Sequence, residues 1–226
     1  MGAPARAGRA RDRRRDARGD RGGDRGRADP RAPAVTMAAV ILAAGAGRRL
    51  GGVAKALLPT PAGDTFLAAI VACARAAGAG DIAVVAGEPF CDAVAREAER
   101  AGCDVVVNPR PERGMASSVA CGFAHLLGAT SASAALLWPV DCPLVRPDTV
   151  ARLAASTRPI AVPVYRGRGG HPARFRREVW AELVACAEAE AGARSVVRAD
   201  PGRVDRVAVD DPGVLADVDR PEDVPR

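Results

Sequence analysis

The sequence predicts an α/β fold, a three-layer sandwich with a mostly parallel sheet, and three observations predict it. Short apolar runs bounded by glycine or proline recur along the chain, as buried strands do. Between them lie stretches with apolar residues at helical spacing. The two kinds alternate from residue 37 to residue 209. That order calls for a parallel-dominated sheet covered on both faces, with ligands beyond the carboxyl ends of its strands.

Ala39–Ala43, reading Ala-Val-Ile-Leu-Ala, is a buried strand that runs into glycines. Asp64 caps a helix whose Leu67, Ile70, Val71 and Ala74 share one face, and Gly78 closes it. Ile82–Val85 is the second strand, Cys91–Ala101 a helix stopped by Gly102, and Asp104–Val107 the third strand. Ser117 or Ser118 starts the next helix, with Val119, Phe123, Leu126 and Leu127 in phase. Ala134–Trp138 is a strand broken by Pro139, and Pro147–Ala155 a helix opened by Pro and Asp. Ile160–Val164 is a strand, Val179 to Ala187 mark a helix, and a short helix near Ala193–Arg198 precedes an alternating strand at Val204, Val207 and Val209. The turn-rich stretch Tyr165–Phe175 interrupts the alternation and reads as a β-ribbon or lid.

The 226 residues are 48% hydrophobic and can bury a core, so the chain is neither wholly disordered nor fibrous. The longest apolar runs, Met37–Ala46 and Ala132–Val140, fall short of the roughly 18 residues a membrane helix needs. Six cysteines without C-x-x-C or Cys/His metal spacing read as reduced thiols in a cytoplasmic protein.

The net charge of +6 lies wholly in residues 1–36, where eleven Arg stand against five Asp. From Gly2 to Pro33 there is no Val, Ile, Leu, Met or aromatic residue, so nothing offsets chain-ordering entropy and this tail is expected to be disordered. A basic arm for nucleic acid is one reading. The interspersed Asp weaken a phosphate-binding field and favour a solvated extension, or translation from an upstream start, with the domain at 37–226.

The first strand runs into Leu42-Ala-Ala-Gly45-Ala-Gly47-Arg48-Arg49, with Lys55 and Pro59 beyond. Glycines after a strand let backbone N–H groups approach an anion, and a following cation adds neutralising charge. A P-loop fails because Lys55 is flanked by Ala54 and Ala56. A dinucleotide fingerprint fails because Gly51 falls one place late. Of 33 basic residues only Lys55 is Lys, so the single ammonium, a compact point charge, stands in the glycine-rich loop.

Four further segments carry candidates. Asp141, in Trp138-Pro-Val-Asp-Cys-Pro, follows a strand, where a carboxylate suits Mg²⁺ in phosphate chemistry but also caps turns. Asp217 and Asp219, at i and i+2 on an extended segment, share a face, and Asp219 is a second candidate ligand. Asn108-Pro109 through Ser117-Ser118 to Gly122 is a loop entering a helix, able to meet a nucleobase or ribose, or only to cap that helix. Gly170-His171-Pro172, within Gly167–Phe175, reads as structural or acceptor-binding.

Together these segments resemble the MobA-like nucleotidyltransferases, closest to the molybdenum cofactor cytidylyltransferases, from Met37 to Val224. The resemblance implies a Rossmann-like, nucleotide-diphospho-sugar transferase-like fold and a cytoplasmic enzyme moving CMP from CTP to molybdopterin with release of pyrophosphate. It implies nucleotide binding by Leu42, Ala43, Ala44, Gly45, Gly47, Arg48, Lys55, Ser117 and Ser118. It further implies catalysis by Lys55, Arg48 and Asp141, Mg²⁺ on Asp141 and Asp219, and acceptor binding by Gly170, His171 and Pro172. A transient contact with a molybdoenzyme follows, and no membrane or nucleic-acid partner. Ala46 stands where many relatives have Ser or Thr, Leu50 where Met is frequent and Arg220 where Thr is frequent. A GTP-using or sugar-phosphate enzyme of the same fold, and a non-catalytic nucleotide binder, are the competing readings. A phosphate nucleophile is already ionised at pH 7, so no general base is required, in keeping with a chain holding only His125 and His171.

Overall fold

A computed structural model of the chain describes residues 1–2, 35–47, 50–189, 191–219 and 223. Residues 3–34 of the tail expected at 1–36, the candidate Arg48 and the segment 220–222 lie outside the described residues. From Val35 onward the chain forms one compact unit.

Six helices and eight strands make it up: β1 Met37–Leu42, α1 Phe66–Ala76, β2 Ala79–Ala86, α2 Cys91–Arg100, β3 Asp104–Val107, α3 Met115–Ala129, β4 Ala134–Pro139, α4 Pro147–Ala154, β5 Ile160–Tyr165, β6 Arg168–Gly169, β7 Ala173–Arg176, α5 Trp180–Ala185, α6 Ala193–Ala199 and β8 Val204–Ala208. The sheet runs β3-β2-β1-β4-β7-β5-β6, with β8 also on β5. The pairs β3/β2, β2/β1, β1/β4 and β5/β8 are parallel. β1 is buried at all six positions, which is why it reads as a continuous apolar run rather than an alternating one. Its odd residues face α1, α2 and α4 in one apolar core, where Ile41 packs with Trp138, Phe66 and Ile70. Its even residues face α3, α5 and α6 in the other, where Val40 packs with Phe123, Phe175 and Trp180. Among the described residues no helix is long and apolar enough to cross a membrane.

Two local expectations need correction and a third is narrowed. Thr65, not Asp64, caps α1: its hydroxyl accepts from Ala68 N at 3.1 Å and donates to Glu97. Helix α3 begins at Met115, ahead of both serines, because Gly114 at φ +87° turns the chain into it. The stretch after Tyr165 is the β-ribbon of the two expected forms and not the lid. Arg166 and Gly167, both at positive φ, make a two-residue turn from β5 to β6, and the chain returns as β7, antiparallel between β4 and β5. Arg174 in β7 is 1% exposed and satisfies its guanidinium on three carbonyls, Leu153 O, Ser156 O and Arg158 O, at the end of α4. A buried arginine breaks the apolar pattern that marks a central strand.

Candidate active site

β1 delivers the chain to the carboxyl edge of the sheet. Ala43 N donates to Val85 O at 2.9 Å, which keeps Ala43 and Ala44 buried beyond the strand. The loop then folds on Gly47, whose carbonyl accepts from Leu50 N at 2.9 Å and Gly52 N at 3.0 Å. Gly47 sits at φ +56°, and a Cβ there would lie 1.9 Å from Val53 O, so only glycine closes this turn. The turn brings Lys55 to the start of a short 3₁₀ turn, Lys55–Leu57, facing back toward the sheet edge.

Lys55 Nζ lies 3.2 Å from Asp141 Oδ2 and 2.5 Å from Asp219 Oδ1. These residues are 86 and 164 positions away in sequence. Asp141 is placed by β4, and the segment carrying Asp219 is fastened to it: Val218 is buried and its N–H donates to Asp141 O at 2.9 Å. The Cys142 thiol donates to Asp217 Oδ1 at 3.1 Å, and Trp138 Nε1 donates to Cys142 O at 2.9 Å. Burial acts to lower the pKa of Lys55, but the hydrogen bond to Asp219 and the charge of Asp141 outweigh it and hold the ammonium above the ordinary lysine value. The lysine is charged at every physiological pH.

Two carboxylate oxygens thus converge on one cationic point. Hard oxygen ligands of this kind suit Mg²⁺ or Mn²⁺. Asp141, Cys142 and Asp217 also place ligand atoms within 4.8 Å of one another. Burial, followed by Asp141 and Asp217, pushes the Cys142 thiol far up, so it stays a protonated donor and leaves the oxygens as the fitting set.

Three hollows meet at this point. One, of about 230 Å³, is lined by Leu42, Ala43, Ala44, Gly45, Lys55, Ser118 and Asp141. A second, of about 630 Å³, lies over Gly45, Ala46 and Gly47 and reaches Lys55 and Asp219. The third, of about 770 Å³, opens on the far side of Asp141 and is bordered by His171 and Asp219. The two serines part company. Asn108 Nδ2 donates to both hydroxyls at 2.9 Å, but Ser117 Oγ turns to Gly114 O at 2.8 Å and lines none of these hollows, whereas Ser118 does. Of the Gly170–Pro172 stretch, only His171 borders a hollow. Gly170 instead allows close approach: a Cβ there would lie 2.1 Å from Val214 O, and His171 N donates to that carbonyl at 2.8 Å. Burial lowers the pKa of His171 below its ordinary value, Asp217 and Asp141 oppose this, and Arg194 adds to it, so the imidazole is neutral.

Sequence reasoning missed Pro111, which lines the first two hollows, and Arg113, Glu188 and Arg194, which border the third. Asn108 was named only as part of a loop, yet it organises both serines. Only its place directly after a strand marks it in the sequence. Nothing local marks Arg194 among 32 arginines.

A glycine turn, a lysine and two carboxylates at the carboxyl edge of a mostly parallel sheet are the arrangement of a nucleotidyltransferase. Residues 39–206 match the MobA-like NTP transferase domain, and the chain belongs to that family. It is 33% identical over 207 residues to the nicotine blue oxidoreductase of Paenarthrobacter nicotinovorans, covering 88% of this chain and 98% of that protein. Among solved structures it is similar to Rv0371c from Mycobacterium tuberculosis H37Rv, with 32% identity, TM-score 0.68 and coverage of 85% and 96% of the two chains. That protein is also known as a complex with manganese, matched here at 29% identity, TM-score 0.63 and coverage of 83% and 95%. A nucleotidyl transferase from Methanothermobacter shares the fold at 23% identity and TM-score 0.69, over 83% of this chain and 94% of its own.

Proposed function

We propose that the enzyme transfers CMP from CTP to a phosphorylated acceptor, molybdopterin, and releases pyrophosphate. The observation that carries the proposal is the meeting of Lys55, Asp141 and Asp219 at the junction of three hollows. In the reaction an acceptor phosphate oxygen attacks the α-phosphorus of CTP. The bond from that phosphorus to the bridging oxygen breaks, and pyrophosphate departs with the electron pair. No proton has to be removed from the nucleophile, so the mechanism needs no general base.

The residues of the chain position and neutralise. Asp141 and Asp219 would hold Mg²⁺, which would supply positive charge against the triphosphate and the leaving pyrophosphate; the manganese complex of the relative supports a divalent cation here. Lys55 binds phosphate oxygens, joined by the N–H groups of the Gly45–Gly47 turn and by Arg48. The base and ribose occupy the 230 Å³ hollow against Ala43, Ala44 and Ser118. Its small volume and the methyl groups of Ala43 and Ala44 favour a pyrimidine over the larger base of GTP. The acceptor enters the 770 Å³ cleft past His171.

Pyrophosphate release is measured from CTP and from GTP, with Mg²⁺, with and without molybdopterin. Release that requires both CTP and molybdopterin is expected. Release with GTP alone, or with a sugar phosphate in place of molybdopterin, refutes the assignment of substrate. The name of the oxidoreductase relative favours a second reading, electron transfer on the same fold. It predicts no pyrophosphate from any pair of substrates.

A further inference from the structure

We propose that Arg194 is the acceptor-binding residue that captures the phosphate monoester of the acceptor. The proposal rests on the reading that the 770 Å³ cleft is the acceptor site, and it names the group that reads the acceptor there.

The cleft is of the size that encloses a multi-ring small molecule. Leu42, Met115, Val119 and Leu137 form one apolar wall, and Ala187 and Ala189 contribute small side chains to the other. No hydroxyl or amide side chain lines it among the described residues, so a polyol would find few neutral partners and a flat ring finds two faces. The polar groups that remain are charged side chains and His171. Four are acids: Asp141, Asp217, Asp219 and Glu188. An anionic acceptor must therefore be held by a cation, and there are two candidates.

Arg113 is already engaged, in an ion pair with Glu188 that lies across the cleft. Arg194 is different. It stands in the first turn of α6, exposed, with no acidic partner within ion-pair distance among the described residues. It also stands near enough to His171 for its charge to act on that ring, along with the charges of Asp217 and Asp141. Arg194, His171 and the carboxylates Asp141, Asp217 and Asp219 line the same cleft. A guanidinium presents paired N–H donors that match two oxygens of a phosphate, which an ammonium cannot do. Arg194 lines the 770 Å³ cleft and Lys55 the two smaller hollows, which divides the anions: Lys55 takes the nucleotide, Arg194 the acceptor.

The test uses flavin mononucleotide as a fused-ring phosphomonoester and riboflavin as the same ring without phosphate, titrated by fluorescence into the full-length protein. Flavin mononucleotide is expected to bind the wild type, Arg194→Ala to weaken it at least tenfold, and Arg194→Lys to recover part of the loss. Riboflavin is expected to bind weakly and equally to all three. A thermal melt checks that each variant is folded. Equal flavin mononucleotide affinity in wild type and Arg194→Ala overturns the proposal, as does equal affinity for the two flavins, or failure of flavin mononucleotide to bind the wild type. Turnover separates this from the wider reading. If pyrophosphate forms from CTP and molybdopterin while Arg194→Ala leaves the acceptor KM unchanged, Arg194 is refuted and the enzyme assignment stands. If the flavin pattern holds but no pyrophosphate forms, the enzyme assignment falls and the phosphate site remains.

Discussion

Replacing Lys55 by Met should lower turnover and raise the affinity of the nucleotide-free protein for a divalent cation. The ammonium stands between the two carboxylates that would hold the metal, 3.2 Å from Asp141 and 2.5 Å from Asp219, so metal and lysine compete for the same oxygens. The lysine side chain is 16% exposed and its partners 24% and 40%. Pairs this open are each worth about 0.2–1 kcal/mol. Displacing both costs the metal up to about 2 kcal/mol, or up to about 30-fold in affinity. Met fills the stem's volume and removes the competitor. The assay is a Mn²⁺ titration followed by electron paramagnetic resonance, without nucleotide, on wild type and Lys55→Met. A gain of about 2- to 30-fold is expected in the variant, together with a fall of about 10²–10³ in the rate of pyrophosphate release, the usual loss for one preorganised charge-stabilising donor. Unchanged or weaker Mn²⁺ binding in Lys55→Met would show that the metal does not use these two carboxylates, and near-normal turnover would remove Lys55 from the chemistry.

Three other outcomes follow from particular contacts. Gly47→Ala should raise the KM for nucleotide and cost about 1–3 kcal/mol in urea unfolding, because its Cβ meets Val53 O and its φ is +56°; an unchanged KM would separate the turn from nucleotide binding. Arg174→Met should destabilise the fold by at least about 1–3 kcal/mol, the cost of one buried carbonyl left unpaired, since the guanidinium serves Leu153 O, Ser156 O and Arg158 O. A urea midpoint equal to that of the wild type would refute that role. Burial holds the pKa of His171 below 6.5 in the folded state, so the unfolded chain binds the proton more readily. Its contribution to stability is full above about pH 6.5 and declines as the pH falls toward the depressed value. His171→Gln should flatten that part of the stability profile, and an unaltered slope between about pH 5 and 7 would contradict the burial argument.

The alternation of strands and helices, the strand leading into the glycine turn and the solitary lysine were all legible because they depend on neighbours a few residues apart. Backbone geometry at Gly47 and full burial of β1 leave their marks in the local pattern. The central place of β7 between β4 and β5 was not legible, since its Arg174 looks like a surface residue until the carbonyls at the end of α4 are brought beside it. Nor was the division of labour between Ser117 and Ser118, which turns on which hydroxyl the loop carbonyls claim. Arg194 is invisible among arginines that differ only in what stands opposite them.

The sequence alone therefore determined the layered α/β architecture, the glycine turn after the first strand and the kinds of charge available, because periodicity and glycine placement are local properties of the backbone. Only the tertiary structure decided that Lys55, Asp141 and Asp219 share one point and that, among the described residues, Arg113 has an acidic partner where Arg194 has none. Those outcomes depend on parallel crossovers that bring distant strand ends to a single edge of the sheet, and no local spacing encodes a separation in space.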